Sequence, residues 1–191
     1  MKRRQAIKLM AVVGGGALAG FGGYKAYHTF KTPDIAFLEA NITMLDALAE
    51  TIIPKTSTPG AREAGVGSFL AFNVKNTLDT KSQNNFIDGM KDINQYCRRR
   101  FDKVFAECGP EQQYSAMLHT KESEFKLKGK YGKAQKKYLG ATFFETLKEF
   151  TVYGYCTSKL GAQQGLAYEY VPMAFKGCIP LKPGQRSWAL K

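Results

Sequence analysis

The residues able to do chemistry are few and scattered along the chain. The 191 residues include two histidines, four cysteines and 16 acidic residues. His28 lies at the edge of an N-terminal segment, and we expect His119 to cap the end of a short helix. The sequence contains no Cys-x-x-Cys-His motif, no Glu-x-x-His pair and no zinc-type spacing of ligands. It therefore predicts neither a metal site nor a cofactor-binding residue in this chain.

Two pairs of carboxylates stand four residues apart on predicted helices. Asp46 precedes Glu50 by one turn, and Glu145 precedes Glu149 in the same way. Such a pair is capable of general acid and base work, but carboxylates on one helix face are more often solvated, with mild mutual repulsion. No glycine-rich phosphate motif follows a strand and opens a helix. We therefore predict no catalytic residue.

Four cysteines allow three patterns of paired disulfides. Cys97 and Cys108 are eleven residues apart, and on one continuous helix they would be separated by about 16 Å, at about 1.5 Å per residue. Bridged Cα atoms must lie within about 7 Å, so we do not expect this pair to join. We favour a Cys156–Cys178 bridge between a long helix and the C-terminal tail. A bridge between subunits through Cys178 and free thiols are the alternatives.

The N-terminal segment has the layout of an export signal. Lys2, Arg3, Arg4 and Lys8 precede an uncharged, glycine-rich run from residue 9 to 23, which at 15 residues is short of the 20 or so that span a bilayer. Its start resembles the bacterial twin-arginine signal, with Ile7 and Lys8 in the expected places. We expect residues 1–31 to be this signal and the protein to be periplasmic, near the inner membrane. An ordinary secretory signal and an uncleaved anchor are the alternatives.

This segment also distorts the charge balance. Residues 1–31 hold six of the 28 lysines and arginines and none of the acidic residues, so removing them halves the formal net charge of +12. Seven lysines then cluster between Lys121 and Lys137. A solvated surface loop explains the cluster, and a docking patch for an acidic partner is the sharper alternative. No nucleic-acid recognition motif is present, so nucleic acid is not expected as a partner.

Helical periodicity dominates the rest of the chain. We predict a helix over Ile42 to Ile53, with Thr43 as N-cap and Pro54 as its stop, and a second helix from near Val66. A long amphipathic segment runs from Asp79-Thr80 to Cys108, and Pro110 suits the first turn of a short helix over 110–119.

After the lysine-rich segment, a long helix should end near Gly154 or Gly161, and an extended proline-rich tail should follow. No segment alternates like a strand. The predicted fold is mostly α: one helical-bundle domain over residues 32–191, with that tail at its C-terminal end.

Two stretches resemble the gluconate 2-dehydrogenase subunit 3 family. The first, "LDALAETIIPKTSTPGAREAGVGSFL", covers Leu45–Leu70, and the second, "FFETLKEFTVYGYCTSKLGAQQGLAYEYVPMAFKGCIPL", covers Phe143–Leu181. They stand in the order that the family shows. The terminal segment from Gln185 to Ala189, which contains the single tryptophan, is also similar to the family's end.

This resemblance implies an accessory subunit without a cofactor of its own. Its partner would be a large FAD-dependent dehydrogenase of the glucose-methanol-choline type, which oxidises a sugar or sugar acid and passes electrons to a cytochrome c. The twin-arginine translocase would export the two together. A membrane-tethered helical scaffold of another periplasmic complex and a stand-alone periplasmic enzyme are the alternatives.

The family-like residues divide between two roles, building the fold and touching a partner. Pro59 and Gly60 either set the turn between two helices or contact the partner. The same alternatives apply to the aromatic residues of the second stretch and the tail, for which we consider Tyr153, Tyr155, Tyr170 and Trp188 as interface residues. Trp188 either latches onto a partner or packs back on its own bundle.

Overall fold

A computed structural model describes residues 31–124, 137, 139–167, 178, 180 and 183–188. Within these residues the chain forms α-helices joined by short connections, and no strand is present. The helices are α1 (Ile35–Ala40), α2 (Ile42–Ile52), α3 (Val66–Thr77), α4 (Thr80–Phe101), α5 (Pro110–Ser123) and α6 (Phe143–Thr157). The predicted α-helical bundle is confirmed. Residues 1–30 and most of the proline-rich tail lie outside the described residues.

The first predicted helices are found almost where expected. Helix α2 ends one residue before the predicted Ile53, but Asn41 occupies its N-cap position and Thr43 lies inside the helix. The prediction of Thr43 as cap was therefore wrong. Helix α3 begins at Val66, after Gly65 takes a left-handed conformation with φ of 71°. That conformation favours glycine because it carries no Cβ.

Helix α4 is shorter than its sequence predicts. The Asp79 carboxylate accepts a hydrogen bond from the Ser82 amide at 3.0 Å and caps its start. The helix ends at Phe101 rather than near Cys108, because Asp102 adopts a left-handed conformation with φ of 55°. The apolar spacing continues past this point because Phe105 re-enters the core from a separate 3₁₀ turn, Phe105–Glu107.

The second half of the chain follows the predicted order. Pro110 stands in the first turn of α5, which continues to Ser123, beyond the predicted residue 119. Residues 125–136 of the lysine-rich segment lie outside the described residues. Helix α6 ends at Thr157, between the two glycines predicted to stop it, and a π-helical turn follows at Gly161–Gly165.

One apolar core joins all of these helices. Helix α2 packs against α3, α5 and α6, while α4 packs against α5 and α6. The fully buried large side chains come from α1 to α4, from α6 and from the 3₁₀ turn, and include Leu45, Leu48, Leu70, Val74, Phe86, Ile87, Met90, Ile93, Phe105 and Leu147. The Phe86 and Phe143 rings meet at 5.1 Å between α4 and α6. Helix α6 is thereby fixed in the bundle, with its outer face free for other contacts.

Candidate partner-binding site

The turn between α2 and α3 is fastened by a carboxylate from α2. The Glu50 side chain accepts hydrogen bonds from the backbone amides of Lys55 at 2.8 Å and Arg62 at 2.9 Å. The Ala61 amide also donates to the Ile53 carbonyl at 2.9 Å. One side chain thus satisfies amides on both sides of the Thr-Pro-Gly-Ala segment, within a connection that has no regular secondary structure to hold it.

The second carboxylate of the pair holds the start of the next helix. The Asp46 carboxylate accepts a hydrogen bond from the Gly67 amide at 3.1 Å, one of the free donors in the first turn of α3. Burial raises the pKa of Asp46, and the bond to Gly67 only partly offsets this. A Cβ at position 67 would collide with the Asp46 carboxylate. Asp46 and Glu50 therefore build the connection between two helices.

Tyr155 joins this turn to α6. Its ring is buried, and its hydroxyl donates a hydrogen bond to the Pro59 carbonyl at 2.8 Å. Pro59 itself is half-buried and Gly60 is fully buried, beside the Glu50 carboxylate. The two stretches that carry the family resemblance are thus in direct contact across 96 residues of sequence.

The residues considered for an interface separate into two groups. Gly60 and Tyr155 are buried within this chain, and Pro59 is engaged by Tyr155. Tyr153 is 60% exposed and Trp188 is half-exposed. Tyr170 lies outside the described residues, as do Arg3 and Arg4. Of this set, the described residues that present a large side chain to solvent are Tyr153 and Trp188.

Tyr153 belongs to an apolar face formed by α3 and α6. Its ring lies 5.8 Å from that of Phe69, and Phe72, one turn further along α3, is 65% exposed. Val152 extends the face on α6. The two helices approach closely because Gly154 leaves room for the Phe69 ring, which a Cβ there would strike. We call Phe69, Phe72, Val152 and Tyr153 the aromatic face.

An open groove of about 660 Å³ continues the aromatic face toward α5. Val152 and Tyr153 form one wall of it. The remaining lining residues are two lysines, two glutamates and two less polar side chains: Lys121, Lys148, Glu145, Glu149, Phe144 and Cys156. The Glu145 and Glu149 pair therefore lies beside two lysines at a surface groove. Aromatic side chains surrounded by mixed charges are typical of a protein–protein interface with an apolar centre and a polar rim.

The C-terminal segment returns to the bundle. The Ala167 amide donates to the Ser187 carbonyl at 2.8 Å, and the Arg186 guanidinium donates to the Gln164 carbonyl at 2.8 Å. Trp188 forms a single parallel bridge with Ala167. The backbone around Trp188 thus packs against its own domain, while about half of the indole surface stays open to solvent.

The predicted Cys156–Cys178 bridge is not formed in the structure. Both residues carry free thiols: Cys156 lines the groove, and Cys178 is exposed. Cys97 and Cys108 are also free thiols, but both are buried.

Among the described residues no group of three or more histidine, cysteine or acidic side chains is arranged to hold a metal ion. His119 stacks on Tyr96 at 4.2 Å, which differs from the capping role predicted for it.

Comparison with known proteins gives a direct result. The family model described as gluconate 2-dehydrogenase subunit 3 matches residues 39–177. The chain belongs to the gluconate 2-dehydrogenase subunit 3 family. No curated protein and no solved structure matches it. The family match spans α2 to α6, with the turn that Glu50 fastens and the helix that carries Tyr153, and it makes this chain a member of a family of dehydrogenase-complex subunits.

Within the described part of the chain, no helix is both long and apolar enough to cross a membrane.

The sequence identified the residues of this gluconate 2-dehydrogenase subunit 3 domain but not all of their roles. Spacing alone indicates solvated carboxylates at Asp46 and Glu50, whereas the structure bonds both to backbone amides of the α2–α3 connection and the start of α3.

Proposed function

We propose that this chain is a non-catalytic small subunit that binds, stabilises and co-exports a large FAD-dependent dehydrogenase. The partner is of the glucose-methanol-choline type and oxidises a sugar or sugar acid. The observation that carries the proposal is the match to the gluconate 2-dehydrogenase subunit 3 family over residues 39–177. In this account FAD is bound by the large subunit alone, and a cytochrome c receives the electrons.

The aromatic face supports a binding role. Phe72 and Tyr153 are each exposed over more than half of their surface, although both are large aromatic side chains. Tyrosine is enriched at interface hot spots, and aromatic side chains lose little conformational entropy on binding. Tyr153 already rests on Phe69, so a partner would meet a surface that is largely pre-organised.

One of the two carboxylate pairs has structural partners within the chain. Glu50 and Asp46 accept backbone amides at the α2–α3 turn. This assignment fits a subunit whose acidic residues hold a scaffold while the partner performs the oxidation.

Export is assigned to the twin-arginine pathway on the N-terminal sequence. Arg3 and Arg4 precede an apolar, glycine-rich run, and such signals are addresses read by a receptor. That route carries folded proteins. A signal on the small subunit would therefore carry along a flavin-loaded partner that has no export signal of its own. Both chains would reach the periplasmic side of the inner membrane.

The test is purification of the tagged full chain from its native host under mild conditions. A larger chain that contains flavin should accompany it. With Arg3→Lys and Arg4→Lys together, both chains should stay in the cytoplasm and still purify as a complex. A small subunit that purifies alone from both strains would contradict the binding role. A partner that reaches the periplasm despite the double substitution would contradict the escort role only.

A further inference from the structure

The chain reverses direction sharply after α4. Asp102 ends the helix in a left-handed conformation, and its amide donates to the Arg98 carbonyl at 3.1 Å. Three residues later the Phe105 amide donates to the Asn94 side chain at 2.8 Å. The segment after the helix is thereby brought back alongside the last turns of α4.

The 3₁₀ turn is held from its other side as well. The Gln113 side chain of α5 donates to the Phe105 carbonyl at 3.0 Å, and the Cys108 amide donates to the same carbonyl at 3.2 Å. Phe105 is fully buried in the core. The position of Cys108 is therefore set by contacts with both α4 and α5.

This reversal brings two cysteines together. Cys97 lies three residues after Asn94, and Cys108 lies three residues after Phe105. The hydrogen bond between Phe105 and Asn94 therefore joins the two segments that carry the cysteines. Cys97 is completely buried, Cys108 is 6% exposed, and both belong to one core. Cys108 is a near neighbour of Cys97 in this core, and its proximity helps to raise the pKa of the Cys97 thiol. The separation expected for a continuous helix does not apply, because the helix ends between them.

We infer that Cys97 and Cys108 form an intrachain disulfide when the folded chain meets a disulfide-bearing thiol oxidant. In this exchange one thiol attacks the oxidant and forms a mixed disulfide, which releases the first oxidant thiol. The second cysteine then attacks the mixed disulfide and releases the other oxidant thiol. The chain loses two protons and two electrons, and the oxidant's disulfide becomes two thiols.

The burial of the two sulfurs sets their order of reaction. Cys108 lies at the edge of the core, so it is the cysteine that an external oxidant reaches first. Burial, together with the neighbouring Cys108, raises the pKa of Cys97 to about 12. Cys97 is therefore protonated at neutral pH, and the rate of bridge closure should rise as the pH rises. The inference concerns this domain alone and holds whether or not the chain binds a flavoprotein.

The bridge would close a short loop from the end of α4 to the start of α5. A loop of this length removes conformational freedom from the unfolded chain, as other disulfides do. We expect oxidation to raise the melting temperature of the full chain by about 5–10 °C. It would strengthen the segment that supports Phe105 in the core.

The test is incubation of the purified full chain at pH 8 with oxidised glutathione, followed by alkylation in denaturant and non-reducing tryptic mass spectrometry. Trypsin cleaves at Arg98 and Lys103, between the two cysteines. A bridge therefore leaves peptides 92–98 and 104–121 joined, and reduction separates them. Refolding in a glutathione redox buffer should give the same joined pair. A Cys156–Cys178 link in its place, or alkylated single peptides in both experiments, would overturn the inference.

A pair of matched variants separates the bridge from a simple packing effect. Cys108→Ser should abolish the joined peptides and the rise in melting temperature on oxidation. Cys156→Ser, which removes a thiol from the surface groove, should leave both unchanged. A rise in melting temperature that persists in Cys108→Ser would contradict the assignment, because the stabilising bond would then lie elsewhere.

Discussion

Tyr153 and Tyr155 stand two residues apart on α6 and face different surroundings. Tyr153 is 60% exposed and rests on Phe69 at the edge of a groove. Tyr155 is buried, and its hydroxyl is bonded to the Pro59 carbonyl of the α2–α3 turn. The same residue type therefore contributes to the aromatic face in one case and to the internal structure in the other.

The α2–α3 turn, which Tyr155 contacts, and the aromatic face, which contains Tyr153, differ in the same way. The α2–α3 turn belongs to the first family-like stretch, and polar groups of this connection are bonded within the chain, through Glu50 and Asp46. The aromatic face draws residues from both family-like stretches and has more exposed apolar surface. The turn within the family match thus builds the scaffold, while the surface proposed for a partner lies beside it.

The largest expected effect is the loss of the Tyr155 ring. Tyr155→Ala should lower the free energy of unfolding by about 3–5 kcal/mol, because it empties a buried aromatic site and removes the bond to Pro59. Tyr155→Phe should cost about 1 kcal/mol, since only the hydroxyl is lost. Urea unfolding followed by circular dichroism measures both. Equal losses for the two variants would show that the ring contributes nothing to the scaffold.

A smaller effect should follow from the carboxylate that fastens the turn. Glu50→Ala leaves the Lys55 and Arg62 amides without their acceptor, which should cost about 1–2 kcal/mol in the free energy of unfolding. Glu63 of the same turn pairs with the Lys55 ammonium at the surface, so Glu63→Ala is the matched control, with a cost below about 1 kcal/mol. If the control lost as much as Glu50→Ala, the turn would be held by surface charge instead.

The smallest expected effect concerns the pH dependence of Asp46. Because its pKa is raised in the folded chain, the folded state holds its proton more tightly than the unfolded state does. The contribution of Asp46 to stability is therefore greatest at acid pH and declines as pH rises through its folded pKa.

Asp46→Asn keeps an oxygen acceptor for the Gly67 amide and does not titrate. The stability of the wild type relative to this variant should thus fall between acid and neutral pH, as measured by thermal melting. A relative stability that rises over this range would mean that the carboxylate is favoured in its charged form.

The helical order could be predicted from the sequence because apolar spacing and proline positions are local signals. Helix α3 begins at the predicted Val66, and Pro110 opens α5 as expected. The end of α4 could not be predicted in this way. It depends on the left-handed Asp102 and on a bond from Phe105 to Asn94, eleven residues away, whereas the apolar spacing continues smoothly across the break.

The candidate site was partly predictable for the same reason. Tyr153 and Tyr155 both appear in the family-like stretch, but the sequence does not distinguish the exposed ring from the buried one. Their environments depend on Phe69 and Pro59, which are brought to α6 by the tertiary fold. The separation estimated for Cys97 and Cys108 is limited in the same way, because it assumes one continuous helix and α4 ends between them, at Phe101.

The most direct test of the account is the affinity of the purified large subunit for three forms of this chain. Tyr153→Asp should weaken binding by about 30-fold or more, the loss typical of an interface hot spot, with its melting temperature unchanged. Tyr114 on α5 is 64% exposed and lies outside the groove lining, so Tyr114→Asp should bind like the wild type. Wild-type affinity in Tyr153→Asp would contradict the assignment of the aromatic face as the partner-binding surface.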